Sequence, residues 1–198
     1  MPPEGRAPER PDRRRRKGEA RRRALLDAAL RVVGREGASA VTQRAVAAEA
    51  GVPPTAVLYY FPTVDDLLVA ALLDVNDRWV AAVDALPADR EGALDGLAAL
   101  VAGSAEHALA EYELCLLAAR RPALRGELDR WWGSLDALAR RLVRGADGEA
   151  DADGDGDRAA ATAFTAGVDG LLLRVSGGGL DPRRARAVLE ALVGRPHR

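Results

Sequence analysis

Residues 42–61, TQRAVAAEAGVPPTAVLYYF, contain the pattern that most restricts the fold of this chain. Thr42 can begin a short helix, because a threonine hydroxyl accepts a hydrogen bond from a backbone N–H of the first turn. Gly51 tolerates the left-handed backbone of a helix C-terminus, and Pro53 and Pro54 fit only the first turn of the following helix. The segment therefore predicts a helix-turn-helix whose second helix runs from about Pro53 to Tyr60.

The second of these helices has one apolar side and one side suited to a partner. Val57 and Phe61 are four residues apart and share an inward stripe with Val52. Pro54, Thr55, Tyr59 and Tyr60 lie on either side of that stripe. The small residues at the start of the helix indicate a surface that can approach another molecule closely.

Residues 22–73 resemble the DNA-binding domain of TetR-family transcriptional regulators, a dimeric and all-helical family. The resemblance rests on an apolar entry helix, then Glu36-Gly37, then TQRAVAAEAGV, then LYYFP before a long helix. The apolar positions of the entry helix are Leu25, Leu26, Ala29, Leu30, Val32 and Val33. Each piece is common by itself, and it is their order that indicates the family.

The resemblance implies which headpiece residues contact DNA. Thr42 would contact a phosphate, and Arg44 would reach a base edge, where a guanidinium pairs with guanine N7 and O6. The start of the second helix would face the major groove, and its two tyrosines would hold the DNA backbone. The full set implied is Thr42, Gln43, Arg44, Pro54, Thr55, Ala56, Tyr59 and Tyr60.

This chain departs from the family pattern at three positions in or near this set. Tyr60 stands where histidine is usual, Leu58 replaces a common tyrosine, and Val64 replaces a phosphate-binding lysine. An upstream basic run offers a compensating contact, since arginines release counterions from a polyanion and can track the minor groove. The run comprises Arg13, Arg14, Arg15, Arg16, Lys17, Arg21, Arg22 and Arg23. The alternative is that residues 1–17 form a disordered basic tail without a role.

Charge is distributed unevenly along the chain. Residues 1–50 carry 13 basic and 7 acidic side chains, whereas residues 64–198 carry 16 and 23. A basic end and an acidic remainder suit a protein that docks one end on nucleic acid. A nonspecific coating protein would be basic throughout.

Composition favours an all-α fold. The chain has 198 residues, 48% of them hydrophobic, yet only three Trp, two Phe and no isoleucine. Cores filled by Ala, Leu and Val favour closely packed helices, and no segment shows the period-two alternation of a strand. We therefore expect a three-helix DNA-binding domain over 18–63 and a helical bundle over 64–198.

The bundle is expected to contain a long helix and several shorter ones. Thr63, followed by acidic residues, predicts a capping box that starts a helix running to about Leu86. Further helices are predicted at about 90–102, 105–120, 122–144, 158–175 and 182–193. Residues 145–157 are interpreted as an acidic flexible loop.

In the resembled family such a bundle binds a small molecule among its middle helices and dimerises through its last two long helices. The large or chemically distinctive candidates for the ligand site are Trp79, His107, Tyr112, Cys115, Trp131 and Trp132. Candidates for the dimer interface are Phe164, Val168, Leu171, Leu172, Val188, Leu189 and Leu192, with Val175 and Ala185 beside them. The alternative for both sets is that they fill the core of a single chain.

Two other chemistries are disfavoured by the spacing of the residues they need. His107, Glu111 and Cys115 share one helical face, but one helix supplies no oriented third group or oxyanion donor for catalysis. DADGDGD at 151–157 matches half of a calcium loop, but its twelfth position is Thr162 in place of a bidentate glutamate. We expect no enzyme activity, no metal and no cofactor.

The sequence thus predicts a regulator that binds a palindromic double-stranded DNA operator as a homodimer and is released by a small molecule. An activator, a corepressor-dependent member, or a helical carrier or enzyme with a fused DNA-binding headpiece remain the alternatives. One cysteine, no signal peptide and no run of about 20 apolar residues favour the cytoplasm and no membrane partner.

Overall fold

The computed structural model describes residues 10–104, 107–144 and 155–194, and these residues form helices without a strand. The helices are α1 (Arg10–Glu36), α2 (Gln43–Glu49), α3 (Pro54–Tyr60), α4 (Val64–Asp84), α5 (Arg90–Ser104), α6 (Ala108–Ala119), α7 (Arg125–Arg144), α8 (Asp155–Ser176) and α9 (Ala185–Val193). Single 3-10 turns lie at Ala38–Ala40, Pro122–Leu124 and Pro182–Arg184. The expected all-α fold, with an N-terminal helix-turn-helix and a C-terminal bundle, is confirmed.

The headpiece consists of α1, α2 and α3. Thr42 caps α2, since its Oγ1 accepts a hydrogen bond from the backbone N–H of Ala45 at 3.0 Å. Gly51 has φ +65°, the left-handed conformation that the turn requires and that glycine adopts without steric cost. Val46, Val57 and Phe61 are buried against the apolar side of α1 and hold the two short helices together.

Helix α4 joins the headpiece to the bundle. Its capping box is complete, because the Thr63 Oγ1 accepts from the backbone N–H of Asp66 while the Asp66 carboxylate accepts from the backbone N–H of Thr63. Much of α4 is buried, including Asn76, whose side-chain amide donates to the backbone carbonyl of Glu127 at 2.8 Å. Helix α4 therefore contacts α1, α6 and α7 together.

The bundle is built from two sets of packed helices. Helix α7 lies along α8, and α5 packs on α9, so that the final helices close over the middle ones. Trp79 of α4 and Trp131 of α7 stack with ring centroids 5.6 Å apart. Among the described residues no single helix is long and apolar enough to cross a bilayer. Helices α3 and α4 together have the length and apolar composition of a span, but they are bent by 69° where they join.

Two segment predictions differ from the structure. Residues 10–17, expected in a disordered tail, lie in α1, where Pro11 occupies the tolerant first turn and arginines favour the helix. An i,i+4 pair between Arg15 and Glu19 at 3.8 Å supports that turn. Residues 155–157, expected in the acidic loop, begin α8. Residues 1–9 and 145–154 lie outside the described residues.

Candidate nucleic-acid interface and ligand cleft

The outer surface of the headpiece carries most of the residues implied as DNA contacts. Thr42 and Arg44 at the start of α2 are exposed, and so are Pro54 and Thr55 at the start of α3. Tyr59 is 81% exposed, a large aromatic side chain left without cover in this chain. Because the Thr42 oxygen accepts the capping hydrogen bond, its hydroxyl hydrogen is still free to donate. Ala56 is half-buried between these positions.

Tyr60 sits where α3 meets the N-terminal half of α1. Its ring packs edge-to-face on Tyr59 with centroids 5.1 Å apart. Its hydroxyl lies 3.8 Å from the position that a Cβ on Gly18 would occupy. The Arg22 guanidinium lies 5.3 Å from the centroid of the Phe61 ring, a cation–π contact. The basic half of α1 is therefore held beside the end of α3.

Gln43 is placed differently from the other candidates. Its side-chain amide donates to the carbonyl oxygens of Phe61 at 3.1 Å and Pro62 at 3.0 Å. Both donors of the amide are thus used inside the headpiece, where they join the start of α2 to the end of α3. Gln43 thus positions the two short helices in this structure, and its implied DNA contact stays a prediction.

Basic residues on α1 divide into two groups. Arg31 and Arg35 pair with Glu49 of α2 at 2.6 and 3.2 Å, and the hydrogen bond from Arg31 is the main cause of a lowered pKa for Glu49. These arginines attach α2 to α1. Arg21 and Arg23, nearer the start of the helix, are exposed and form no ion pair with another described residue. The second group is the one that can meet phosphates.

A cleft of about 420 Å³ lies between α1, α4, α5 and α6. Of the six predicted ligand-site residues, it contains Trp79 and His107. The other lining residues are Asp27, Leu30, Arg31, Val75, Arg78, Ala82, Leu100, Gly103, Ser104 and Glu111. Asp27 and Glu111 were not predicted as ligand residues. A sequence does not show which polar residues of separate helices lie close together in the fold.

Glu111 is the chemically unusual member of the cleft. Burial raises the pKa of its carboxyl to about 7, and the positive charge of Arg78 opposes that shift only in part. No hydrogen bond or ion pair joins the Glu111 carboxyl to another described side chain. By contrast, Arg78 pairs with Asp27 at 3.1 Å and with Asp74 at 2.7 Å.

The remaining predicted ligand residues lie elsewhere. Trp131 is buried behind Trp79, and Tyr112 and Trp132 both contact Asp169 of α8. Trp132 is 42% exposed and lines a second groove between α7 and α8. Burial raises the pKa of the Cys115 thiol to about 12, so the thiol is not a ready nucleophile. These four residues do not line the cleft between α1, α4, α5 and α6, and their role at a ligand site stays a prediction.

A second link between bundle and headpiece starts two residues after Glu111. The Glu113 carboxylate of α6 accepts a hydrogen bond from the backbone N–H of Ala38, in the turn that leads into α2. A Cβ on Gly37, which has φ +87°, would lie 3.4 Å from the same carboxylate. Helix α6 therefore contacts the headpiece directly through the α1–α2 turn.

Most of the predicted dimer contacts face the interior of the chain. Phe164, Val168, Leu171, Leu172 and Leu189 are each at most 3% exposed. These five are corrected to core residues of one subunit. Val188 is half-buried, and Leu192 is 39% exposed. The outward side of α8 instead presents Thr162, Ala163, Ala166, Gly170 and Leu173.

The described residues bear only on the metal-site alternative. Within those residues, no three His, Cys, Asp or Glu side chains are grouped so as to hold a metal ion. Asp155, Gly156 and Asp157 begin α8, and the earlier part of the acidic repeat lies outside the described residues.

Comparison with known proteins adds independent findings. Residues 25–71 match the family model described as bacterial regulatory proteins, tetR family, and residues 88–195 match the tetracyclin repressor-like C-terminal domain. The HTH-type transcriptional regulator BetI of Rhizobium meliloti is 43% identical over 75 residues, which cover 36% of this chain and 37% of BetI. The match thus spans little more than a third of that curated relative.

Two solved structures match over most of their length. A TetR-family member from Streptomyces coelicolor A3 is 35% identical, with a TM-score of 0.65, over 88% of this chain and 99% of its own. The multidrug binding protein EbrR, complexed with malachite green, is 35% identical with a TM-score of 0.60, over 95% of this chain and 100% of its own.

Proposed function

Because this chain belongs to the TetR family of transcriptional regulators, we propose that it is a repressor released from its operator by a small molecule. The observation that supports this most directly is the position of the cleft. Its walls include α4 and α6, and both helices also contact the headpiece. Occupation of the cleft can therefore alter the orientation of α3.

The proposed mechanism is a shift between two arrangements of the headpieces. A ligand that prefers one arrangement lowers operator affinity by its differential affinity for the two states. Two contacts carry the change in this chain: the Arg78–Asp27 ion pair between α4 and α1, and the Glu113–Ala38 hydrogen bond between α6 and the α1–α2 turn. The first of these also lines the cleft.

The proposed DNA contacts come from α2, α3 and the basic half of α1. Arg44 reads a base edge, Thr55 and its neighbours approach the major groove, and Tyr59 and Tyr60 donate to phosphates. Arg21 and Arg23 supply further charge along the backbone. Such a protein acts where the chromosome is, in the bacterial cytoplasm.

The proposed active form is a homodimer whose interface uses the outward side of α8. Ala163, Ala166 and Gly170 repeat at helical spacing and permit close approach of a second helix, while Leu173 at 44% exposure adds apolar area. Two-fold symmetry then predicts a palindromic operator with recognition helices about 34 to 36 Å apart or more. The proposed effector is an organic molecule, as in EbrR, whose structures contain malachite green and ethidium.

The test is binding of the purified protein to DNA upstream of its own coding region, by fluorescence anisotropy at two salt concentrations against scrambled competitor. We expect binding that scrambled competitor DNA does not displace, with two copies of the protein on each operator, one on each half-site. Replacing Arg44→Ala and Tyr59→Phe together should abolish that binding, whereas Arg120→Ala, an exposed change at the end of α6, should leave it intact. Binding that any DNA displaces, or specific binding by the double variant, contradicts the proposal. A reporter gene that rises when the protein is deleted distinguishes repressor from activator.

A further inference from the structure

We propose that the first half of α1 is a helical extension that binds the phosphate backbone of DNA outside the operator, next to each half-site. The extension comprises residues 10–24, which precede the part of the chain that matches the family model at residues 25–71. The inference rests on the proposed function in placing α3 on a half-site. Its own support comes from how charge is arranged around this helix and from where the helix contacts α3.

The extension is strongly basic and exposed. Residues 10–24 contain nine arginine or lysine residues and two acidic ones. From Arg15 to Ala24 the residues are exposed, apart from the half-buried Gly18. One of the two acids, Glu19, pairs with Arg15 at 3.8 Å. A surface with this excess of positive charge attracts a polyanion, and duplex DNA is the polyanion that the neighbouring α3 is proposed to bind.

Helical spacing separates the charges of the extension into different sides. Over positions 10–21 one side is wholly basic, with successive residues spaced by four, three and four positions. This basic side consists of Arg10, Arg14, Lys17 and Arg21. The opposite side carries both acidic residues, Asp12 and Glu19, with Arg16 between them. The basic side is therefore the one that can follow a phosphate backbone without placing a carboxylate against it.

A third side of the extension attaches it to the end of α3. The Tyr60 hydroxyl lies 3.8 Å from the position that a Cβ on Gly18 would occupy, and the Arg22 guanidinium lies 5.3 Å from the centroid of the Phe61 ring. The basic side is roughly a quarter turn of the helix away from this attachment. Because Tyr60 is itself a proposed phosphate contact, the basic side begins where the DNA contacts of α3 end.

The length of the extension places it outside the operator. A helix over residues 10–24 is about 22 Å long, which corresponds to about six base pairs of duplex. The recognition helices of a dimer are about 34 to 36 Å apart or somewhat more, so two extensions directed toward each other would fill the space between the half-sites. Their like charges would then repel. Directed outward, each extension meets the phosphates that flank its own half-site.

DNA should also stabilise the extension as a helix. Like charges four residues apart, such as those of Arg10 and Arg14 or of Lys17 and Arg21, repel each other in a free helix. From Arg15 to Ala24 no side chain is buried, so packing does not offset that repulsion. Phosphates along the basic side replace repulsion by attraction. Hydrogen exchange of the amides over residues 15–24 should therefore slow when operator DNA with its flanks binds.

The test compares two operator duplexes by fluorescence anisotropy with the full-length protein. One duplex ends at the outermost base pair whose change lowers affinity, and the other carries about ten further base pairs of arbitrary sequence at each end, enough to cover the extension. We expect the wild type to bind the longer duplex at least about tenfold more tightly at low salt, with a steeper salt dependence. Hydroxyl-radical footprinting should show protection of about six base pairs in each flank.

Two variants separate charge from helical structure. Arg14→Gln combined with Lys17→Gln should remove most of the preference for the longer duplex and change binding to the shorter one by at most about twofold. Ala20→Pro keeps every charge but ends the regular helix at this point, because proline is tolerated only in the first turn. It should also remove the preference. Arg120→Gln combined with Arg125→Gln, which removes two exposed charges from the bundle, is the control and should alter neither affinity.

Equal affinity of the wild type for the two duplexes overturns the proposal, and so does a preference that survives in the Arg14 and Lys17 double variant. A preference retained by Ala20→Pro would assign the effect to an arm without helical structure, and unchanged hydrogen exchange over residues 15–24 would do the same; either result overturns the helical extension. Circular dichroism confirms that each variant is folded.

The same measurements separate this inference from the proposed function. Specific operator binding without a preference for the flanks removes only the extension. Absence of any specific operator removes the repressor proposal. In that case the salt dependence of the wild type and of the Arg14 and Lys17 double variant on arbitrary DNA still tests the extension, since each lost phosphate contact lowers the slope by about 0.9.

Discussion

The Glu113 carboxylate accepts a hydrogen bond from the backbone N–H of Ala38, and this bond connects the helix that carries Glu111 to the turn that precedes α2. Seventy-five residues separate the two partners in sequence. A charged acceptor on a backbone N–H is among the stronger hydrogen bonds in proteins. This bond is therefore a direct contact between α6 and the headpiece that does not involve α4.

Glu113→Ala should lower the free energy of unfolding by about 1 to 3 kcal/mol, because the Ala38 N–H loses its partner. The same change should accelerate hydrogen exchange of the Ala38 amide, which reports the α1–α2 turn itself. Glu113→Gln keeps a carbonyl acceptor and should restore most of the protection. Glu190→Ala, which removes an exposed partner of Arg186, serves as the control and should cost at most about 1 kcal/mol. Unchanged exchange at Ala38 would show that the turn is held by other contacts.

Gln43→Ala should lower stability by about 1 to 2 kcal/mol and leave the preference among operator sequences unchanged. The reason is that both N–H groups of the Gln43 amide donate to the carbonyls of Phe61 and Pro62, so the side chain mainly holds the start of α2 to the end of α3. Urea denaturation measures the first effect, and a panel of single-base operator variants measures the second. A changed base preference at one operator position would show that Gln43 contacts a base.

Replacing Arg21 and Arg23 by glutamine should weaken binding to all DNA sequences alike and flatten its salt dependence. Removal of one phosphate-binding side chain reduces the slope of log affinity against log salt by about 0.9. Both side chains are exposed and flank Arg22, whose guanidinium contacts the Phe61 ring after α3, and we expect them to reach the DNA backbone. Anisotropy titrations at several salt concentrations give the slope, and Arg183→Gln, exposed in the bundle, is the matched control. An unchanged slope would show that this half of α1 lies away from the DNA.

Ala166→Arg should convert the proposed dimer to a folded monomer, because it places a bulky charge on the outward side of α8. Leu189→Ala should act differently and lower the free energy of unfolding by about 2 to 5 kcal/mol, since that side chain is fully buried in one subunit. Sedimentation velocity measures the first change and urea denaturation the second. Ala119→Arg, exposed at the end of α6, controls for the added charge. A dimer that survives Ala166→Arg would exclude the outward side of α8.

Glu111→Gln should stabilise the ligand-free protein at alkaline pH. Because burial raises the pKa of Glu111 from 4.5 to about 7, the unfolded chain releases this proton at lower pH than the folded one. The wild type therefore loses stability from this group as pH rises from about 4 to 8, by about 2 to 3 kcal/mol in total. Urea midpoints across that range should show the advantage of the glutamine variant growing with pH and vanishing near pH 4. Asp84→Asn, at an exposed position, should show no such trend.

Local chemistry was sufficient to predict the headpiece. A capping threonine, a glycine in the turn and two prolines restrict the backbone within a few residues, and the structure has α2 and α3 where they indicate, with α3 one residue later than expected. Apolar periodicity likewise predicted the bundle helices to within a few residues, because it reflects the spacing along one helix. Family resemblance then limited the function to transcriptional regulation.

Contacts between distant helices decided the rest. The periodic apolar side of α8 was predicted from sequence, but whether Phe164 and Val168 meet a second subunit or α7 depends on how α7 lies against α8. The charge partners in the cleft come from α1, α2 and α4, and the acceptor for Ala38 comes from α6. The sequence shows which charged groups each helix carries and on which side of that helix they lie. Their pKa values, their partners and the cleft they share arise only when packing brings separate helices together and excludes water.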